Sequence, residues 1–219
     1  MPNFSNDSHL LKWEPDVFRL CRFPQQKLAG GAAGVTAAGA ATLTDATSGD
    51  FVNAGVTTGH VIQMSKSGVY DDYFPVASRT SATALALDAP AKIFSAQTGV
   101  TWSIYTFGPQ HEEAHYELCE RFGIDDADAN ADHESQVFNA RALRRASVFR
   151  VLEMVFRAQA SGPEDLFYRK AERYRQLYEQ ALEAVKLRFD ADGDKSPDKT
   201  KDAASVDLRV EEAGDRWTT

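Results

Sequence analysis

The run His111-Glu112-Glu113-Ala114-His115 places two histidines one helical turn apart, with a glutamate beside the first. On a helix both imidazoles share a face and could bind Zn²⁺, with Glu112 as general base of a hydrolytic reaction. Glu134, or His133 beside it, could supply a third ligand. The surroundings favour a different expectation. The run follows directly on Gly108-Pro109, and proline suits the first turn of a helix. Glu113, Glu117 and Glu120 continue an acidic face, and acids early in a helix complement its dipole. A capped, exposed helix start without a metal is therefore expected. Zinc hydrolysis through His111, Glu112, His115 and Glu134 is the alternative.

Other residue types capable of chemistry are present without the spacing it needs. Asp190-Ala191-Asp192-Gly193-Asp194 resembles part of a calcium loop, but with Gly193 at loop position 6 the outer ligand positions fall on Arg188 and Lys199, which are not acidic. Gly30, Gly31 and Gly34 lack the lysine-serine pair of a phosphate loop. No nucleophile elbow joins the serines, histidines and aspartates. Cys21 and Cys119 are too few for a disulfide framework and read as small buried hydrophobes. No cofactor and no catalytic residue is expected.

The elements that must position these residues fall into four segments. Residues 1–28 read as an N-terminal helical segment interrupted at Pro15. Residues 29–108 read as an inserted β-module. Its small-residue stretch 29–41 is an extended lead-in or flexible loop, followed by short strands that form an antiparallel barrel or sandwich. Residues 109–190 switch to helical period, with an antiparallel hairpin of two long helices, Ser135 to Gln159 and about Glu164 to Asp190. Residues 191–219 read as an extended tail whose alternating Val206, Leu208 and Val210 form a lone strand. One strand cannot hold itself together, so it would be disordered alone or supplied to another chain's sheet. The fold class expected is α+β: a helical bundle dominated by the long hairpin, with the β-module inserted and the tail extended.

Composition excludes more than it identifies. The 219 residues are 43% hydrophobic and 26% charged, a globular balance. No apolar run approaches a membrane span, and the opening residues lack the pattern of a secretory leader. A net charge of −8 and a pI near 5.1 argue against coating duplex nucleic acid. The charge is uneven. Residues 109–134 carry nine acids and one base, and residues 135–189 six acids and eleven bases, while 190–219 carry nine acids and five bases. Arg141, Arg144, Arg145 and Arg150, set against Glu113, Glu117 and Glu120, are candidate contacts between neighbouring copies, since complementary charge sets orientation and register. A solvated basic face, or a surface along which nucleic acid passes, are the other readings of the arginines.

The order of YTFGPQ (105–110), LCERFGI (118–124), RALRRASVFRVLEMVFRAQA (141–160) and DLFYRKAERYRQLYEQALEAVKLRFDADGD (165–194) resembles the head-to-tail connector, or head-completion adaptor, proteins of tailed bacteriophages. The resemblance covers roughly residues 105–194 and is one of style and order; the inserted β-module departs from the simplest all-helical adaptors. It implies a structural virion protein of the phage neck, assembled in the host cytoplasm as a homo-oligomeric ring, usually twelve-fold. That ring would dock on the portal protein and link it to the next neck or tail protein, with packaged double-stranded DNA passing through its channel and no membrane involved. The tail, with Val206, Leu208, Val210 and Trp217, would add a strand to the portal. A neighbouring neck or baseplate protein is a further reading.

Overall fold

The chain begins with two short helices, α1 (Asp7–Trp13) and α2 (Val17–Leu20). Asn6 caps α1 reciprocally: its side chain accepts from the His9 backbone N–H, and His9 Nδ1 accepts from the Asn6 N–H at 3.1 Å. Pro15 separates the two helices, as the sequence leads one to expect. This computed structural model describes residues 3–128 and 131–203. The predicted tail residues Val206, Leu208, Val210 and Trp217 lie outside the described residues.

Six strands follow: β1 (Lys27–Ala37), β2 (Ala40–Thr44), β3 (Val61–Lys66), β4 (Tyr70–Arg79), β5 (Ala84–Leu87) and β6 (Gln97–Tyr105). They close into an antiparallel barrel in the order β1-β2-β5-β4-β3-β6, with β6 returning to β1. Alternation dictates the filling, because successive side chains of a strand point to opposite faces. Val100, Trp102 and Ile104 of β6 turn inward and meet Leu43, Ile62, Met64, Phe74 and Leu85 from the other strands. Phe51, fully buried, packs against Trp102 with ring centroids 5.1 Å apart.

The small-residue stretch at 29–41 is not a lead-in. Most of it is β1, the longest strand of the barrel. Its register against β6 shifts between Gly31 and Gly34, and such a bulge bends a strand around a barrel. Smallness is required there: a Cβ on Gly31 would meet Asp45 Oδ2 at 2.6 Å and Trp102 Nε1 at 3.0 Å. Asp45, fully buried, accepts hydrogen bonds from Trp102 Nε1 (2.8 Å), Thr47 N (2.9 Å) and Ser48 N (2.7 Å). Burial alone would push its carboxyl up, but the N–H groups of Ser48, Trp102, Thr47 and Ala33 outweigh this and hold it below the usual carboxylate range.

After the barrel come α3 (Gly108–Phe122), α4 (Arg144–Gln159), α5 (Leu166–Glu183) and a two-stranded sheet of β7 (Lys186–Phe189) and β8 (Lys199–Asp202). Gly123, at φ 60°, supplies the left-handed stop that ends α3. The expectation of a helical bundle dominated by a long helix hairpin is therefore overturned. The molecule is mixed α/β, with a closed six-stranded barrel and five α-helices among the described residues. Two local causes shortened the hairpin. Glu134–Gln136 and Ala140–Leu143 form 3-10 turns, with Val137 bridged to Phe189 between them, rather than the first turns of α4. At the far end the apolar period changes from helical to alternating: Val185, Leu187 and Phe189 are buried while Lys186 and Arg188 are exposed. That segment pairs with β8.

The two parts share a core. Leu10, Val17, Phe18 and Cys21 of the N-terminal segment pack with Val61 and Phe107 at one end of the barrel and with Phe149, Leu152, Phe156 and Tyr174 of α4 and α5. A second cluster joins Leu118 and Phe122 of α3 to Leu187 and Phe189 of β7. Glu14 ties α1's end to α5 through Lys170 Nζ (3.0 Å) and the Tyr174 hydroxyl (2.7 Å).

Candidate functional site

The His-Glu-Glu-Ala-His run occupies the first two turns of α3, with Pro109 in the opening turn. Its spacing does put both imidazoles on one face, but that face is turned into the protein: His111 is 2% exposed and His115 8%. The expected exposed helix start holds only for Glu112 and Glu113.

His111 sits in a polar cluster built from three other segments. Ser5 Oγ lies 2.8 Å from His111 Nδ1 and 2.7 Å from Ser147 Oγ of α4. Asp7 Oδ1 is 3.3 Å from His111 Nε2 and accepts from the Phe107 backbone N–H at 2.9 Å. Serine, histidine and aspartate thus stand in hydrolase order, yet Ser5 is 2% exposed, Asp7 1% and Ser147 0%. The cluster instead pins the N-terminal segment to the start of α3, to α4 and to the end of the barrel, although Asp7 Oδ2 and His111 Nε2 make no hydrogen bond there.

His115 faces a different set. Its Nε2 is 3.5 Å from Glu134 Oε2 and 3.7 Å from Cys119 Sγ, and its ring packs on Phe4 at 4.5 Å. The structure therefore brings Glu134 to His115, as a metal site would require, but leaves His111 with Ser5 and Asp7, and Glu112 outside with the Tyr116 hydroxyl (3.4 Å). The four residues of the zinc reading do not converge. Cys119 was not foreseen beside His115, though its spacing of four residues on a helix signals it. A cavity of about 280 Å³ lies alongside, lined by His115, Cys119, Asp125, Asp126 and Glu134 among others. Burial, then Glu134 and Asp126, push the Cys119 thiol up to about 12, the direction that burial gives a thiol. Burial does the same to Cys21.

Among the described residues, the group of metal-binding side chains with ligand atoms mutually within 4.8 Å is Asp190, Asp192 and Asp194. These exposed carboxylates cap the turn between β7 and β8: Asp190 accepts from the Gly193 and Lys195 N–H groups, and Asp192 from Asp194 N. That is turn chemistry.

The candidate interface residues divide. Arg150 is spent within the chain: it binds Glu117 of α3 through two nitrogens, Nη2 to Oε1 at 2.6 Å, and Glu153 at 2.7 Å. Arg157, on the same helix, joins Glu172 of α5 at 2.6 Å. Arg141, Arg144 and Arg145 remain exposed, as do Glu113 and Glu120. On the barrel wall, Arg22, Lys27 and Tyr105 border a groove of about 590 Å³ floored by Gly30, Gly31 and Ser103; Arg22 donates to Gln63 Oε1 at 2.7 Å and lies over the Tyr105 ring. No helix of the described residues is long and apolar enough to cross a membrane. Comparison of the chain with protein-family models, with curated proteins and with solved structures finds no match.

Proposed function

We propose that this protein is a non-enzymatic assembly component, a ring-forming connector of the phage neck that docks on the portal and joins the DNA-filled head to the tail. The observation that carries the non-enzymatic part is the burial of the Ser5, Asp7, His111 and Ser147 cluster. The side chains best suited to catalysis are used to hold segments together, while the surface offers aromatic and charged faces. The neck assignment rests on the sequence resemblance of residues 105–194. In this reading the tail that carries Val206, Leu208, Val210 and Trp217 adds a strand to the portal. Consistent with that, β8 pairs with β7 and with no other described strand.

Electron microscopy of the protein mixed with the portal of the same phage tests the reading. A ring seated on the portal, lost when the chain is truncated after Ala203, is the expected result. Failure of the intact chain to bind that portal overturns it. Binding that survives the truncation removes the strand-donating tail.

A further inference from the structure

Where α1 meets the start of α4, Lys12, Arg144 and Arg145 are exposed, with Arg141 one turn earlier on the same side. Among the described residues none of the four has a carboxylate within ion-pair distance, although Arg150 and Arg157 further along α4 do. Trp13, 49% exposed, lies among them, with the Arg145 guanidinium 5.4 Å from its ring centroid. Arg145 also lies 5.4 Å from the Phe149 ring, which fixes it against the core. Trp and Arg held rigidly together are the residues most often found at the energetic centre of an interface.

The chain carries a complementary surface. Glu112, Glu113, Tyr116 and Glu120 are exposed on one face of α3, and at about 100° per residue they fall within an arc of about 100°; Pro109 shares that arc, and the exposed Arg121 lies beyond its edge. Tyr116 is 60% exposed at the middle of the stripe. Glu117, which would otherwise extend it, is neutralised by Arg150 within the same chain. One surface is a tryptophan among cations, the other a tyrosine among carboxylates.

We infer that the Lys12, Trp13, Arg144 and Arg145 surface of one copy docks on the Glu112, Glu113, Tyr116 and Glu120 stripe of a second copy. The inference deepens the assembly reading above and rests on it. In the ring of the assembly reading the contact is head-to-tail: each copy uses its basic patch on one neighbour and its acidic stripe on the other, an arrangement that closes when the rotation per copy is right. The chain's net charge of −8 favours this occupant over a nucleic acid, since four cations alone release few counterions. Charge pairing at its rim makes the contact salt-sensitive.

Sedimentation velocity of the full chain at low and high salt tests it, using Arg144→Glu/Arg145→Glu and Glu113→Arg/Glu120→Arg. The unmodified protein is expected to self-associate at low salt, and each reversal to weaken association on the order of 100-fold. A mixture of the two reversed proteins is expected to recover it, because each reversed surface then meets its opposite. That recovery also guards against misfolding, which mixing cannot repair. Oligomers that ignore both reversals overturn this contact and leave the assembly reading standing. An unmodified protein that stays monomeric overturns the contact as well, and the portal experiment then decides the assembly reading separately. Tight binding of a short fluorescent duplex DNA, abolished by Arg144→Glu/Arg145→Glu while self-association persists, would assign the patch to nucleic acid and overturn the inference.

Discussion

Asp45 accepts the indole N–H of Trp102 at 2.8 Å, inside the barrel wall and beside the bulge of β1. The carboxylate also holds two N–H groups of its own turn and is approached by that of Ala33, so its removal strands at least three donors. Asp45→Ala is expected to cost about 2–4 kcal/mol, and Trp102→Phe, which loses one donor, about 1–2 kcal/mol beyond the change in packing. Urea unfolding measures both. The carboxyl is held below its usual range, so its contribution is complete above about pH 4 and fades as pH falls through the folded value. Asp45→Asn should flatten that acid limb, and an unchanged acid limb would show that Asp45 is not part of it.

His9 is held down to about 4 from 6.5 by burial first and then by Arg144, Lys12 and His111. The unfolded chain therefore takes up this proton before the folded one does. Stability contributed by the neutral ring falls as pH drops from about 6.5 towards 4. NMR titration should find the imidazole titrating near pH 4 and moving upward in Arg144→Gln. A midpoint near 6.5 would mean that the cations do not crowd this ring.

Arg150 clamps α3 to α4 through both oxygens of Glu117. A double-mutant cycle over Arg150→Ala and Glu117→Ala should return a coupling of about 1–2 kcal/mol, larger than an exposed pair gives, because the geometry is bidentate and partly shielded. Coupling near zero would reduce the pair to surface decoration.

For the histidine helix, the expected result is a loss of stability rather than a loss of metal. His111→Ala removes the group that stands between Ser5 and Asp7 and should cost about 2 kcal/mol in thermal or chemical unfolding. Equimolar zinc in the purified protein, removed by His115→Ala, would restore the hydrolase reading.

Much of the barrel was legible because alternation writes itself into the sequence: Val100, Trp102 and Ile104 announce their face. β1 was not, because a strand with no room for a Cβ at Gly31, beside Asp45 and Trp102, gives up the bulky residues by which strands are recognised. Over residues 185–189 the helical stripe and the strand alternation coincide on Val185 and Phe189, and only pairing with β8 separates them. The burial of His111 was equally hidden. Its partners, Ser5 and Asp7, lie 106 and 104 residues away, and the acids around it spoke for solvent. Charge blocks indicated candidate interface residues, but not that Arg150 and Glu117 would satisfy each other.

The locking of residues 5–14 has a consequence for the order in which the chain matures. Every strand of the barrel lies between Lys27 and Tyr105, so the barrel is complete as a unit once Tyr105 has been synthesised. The N-terminal segment made before it waits for His111, Ser147, Lys170 and Tyr174. Contacts so distant along the chain form slowly. Residues 5–14 are thus among the last to settle, and they close the seam between barrel and helices.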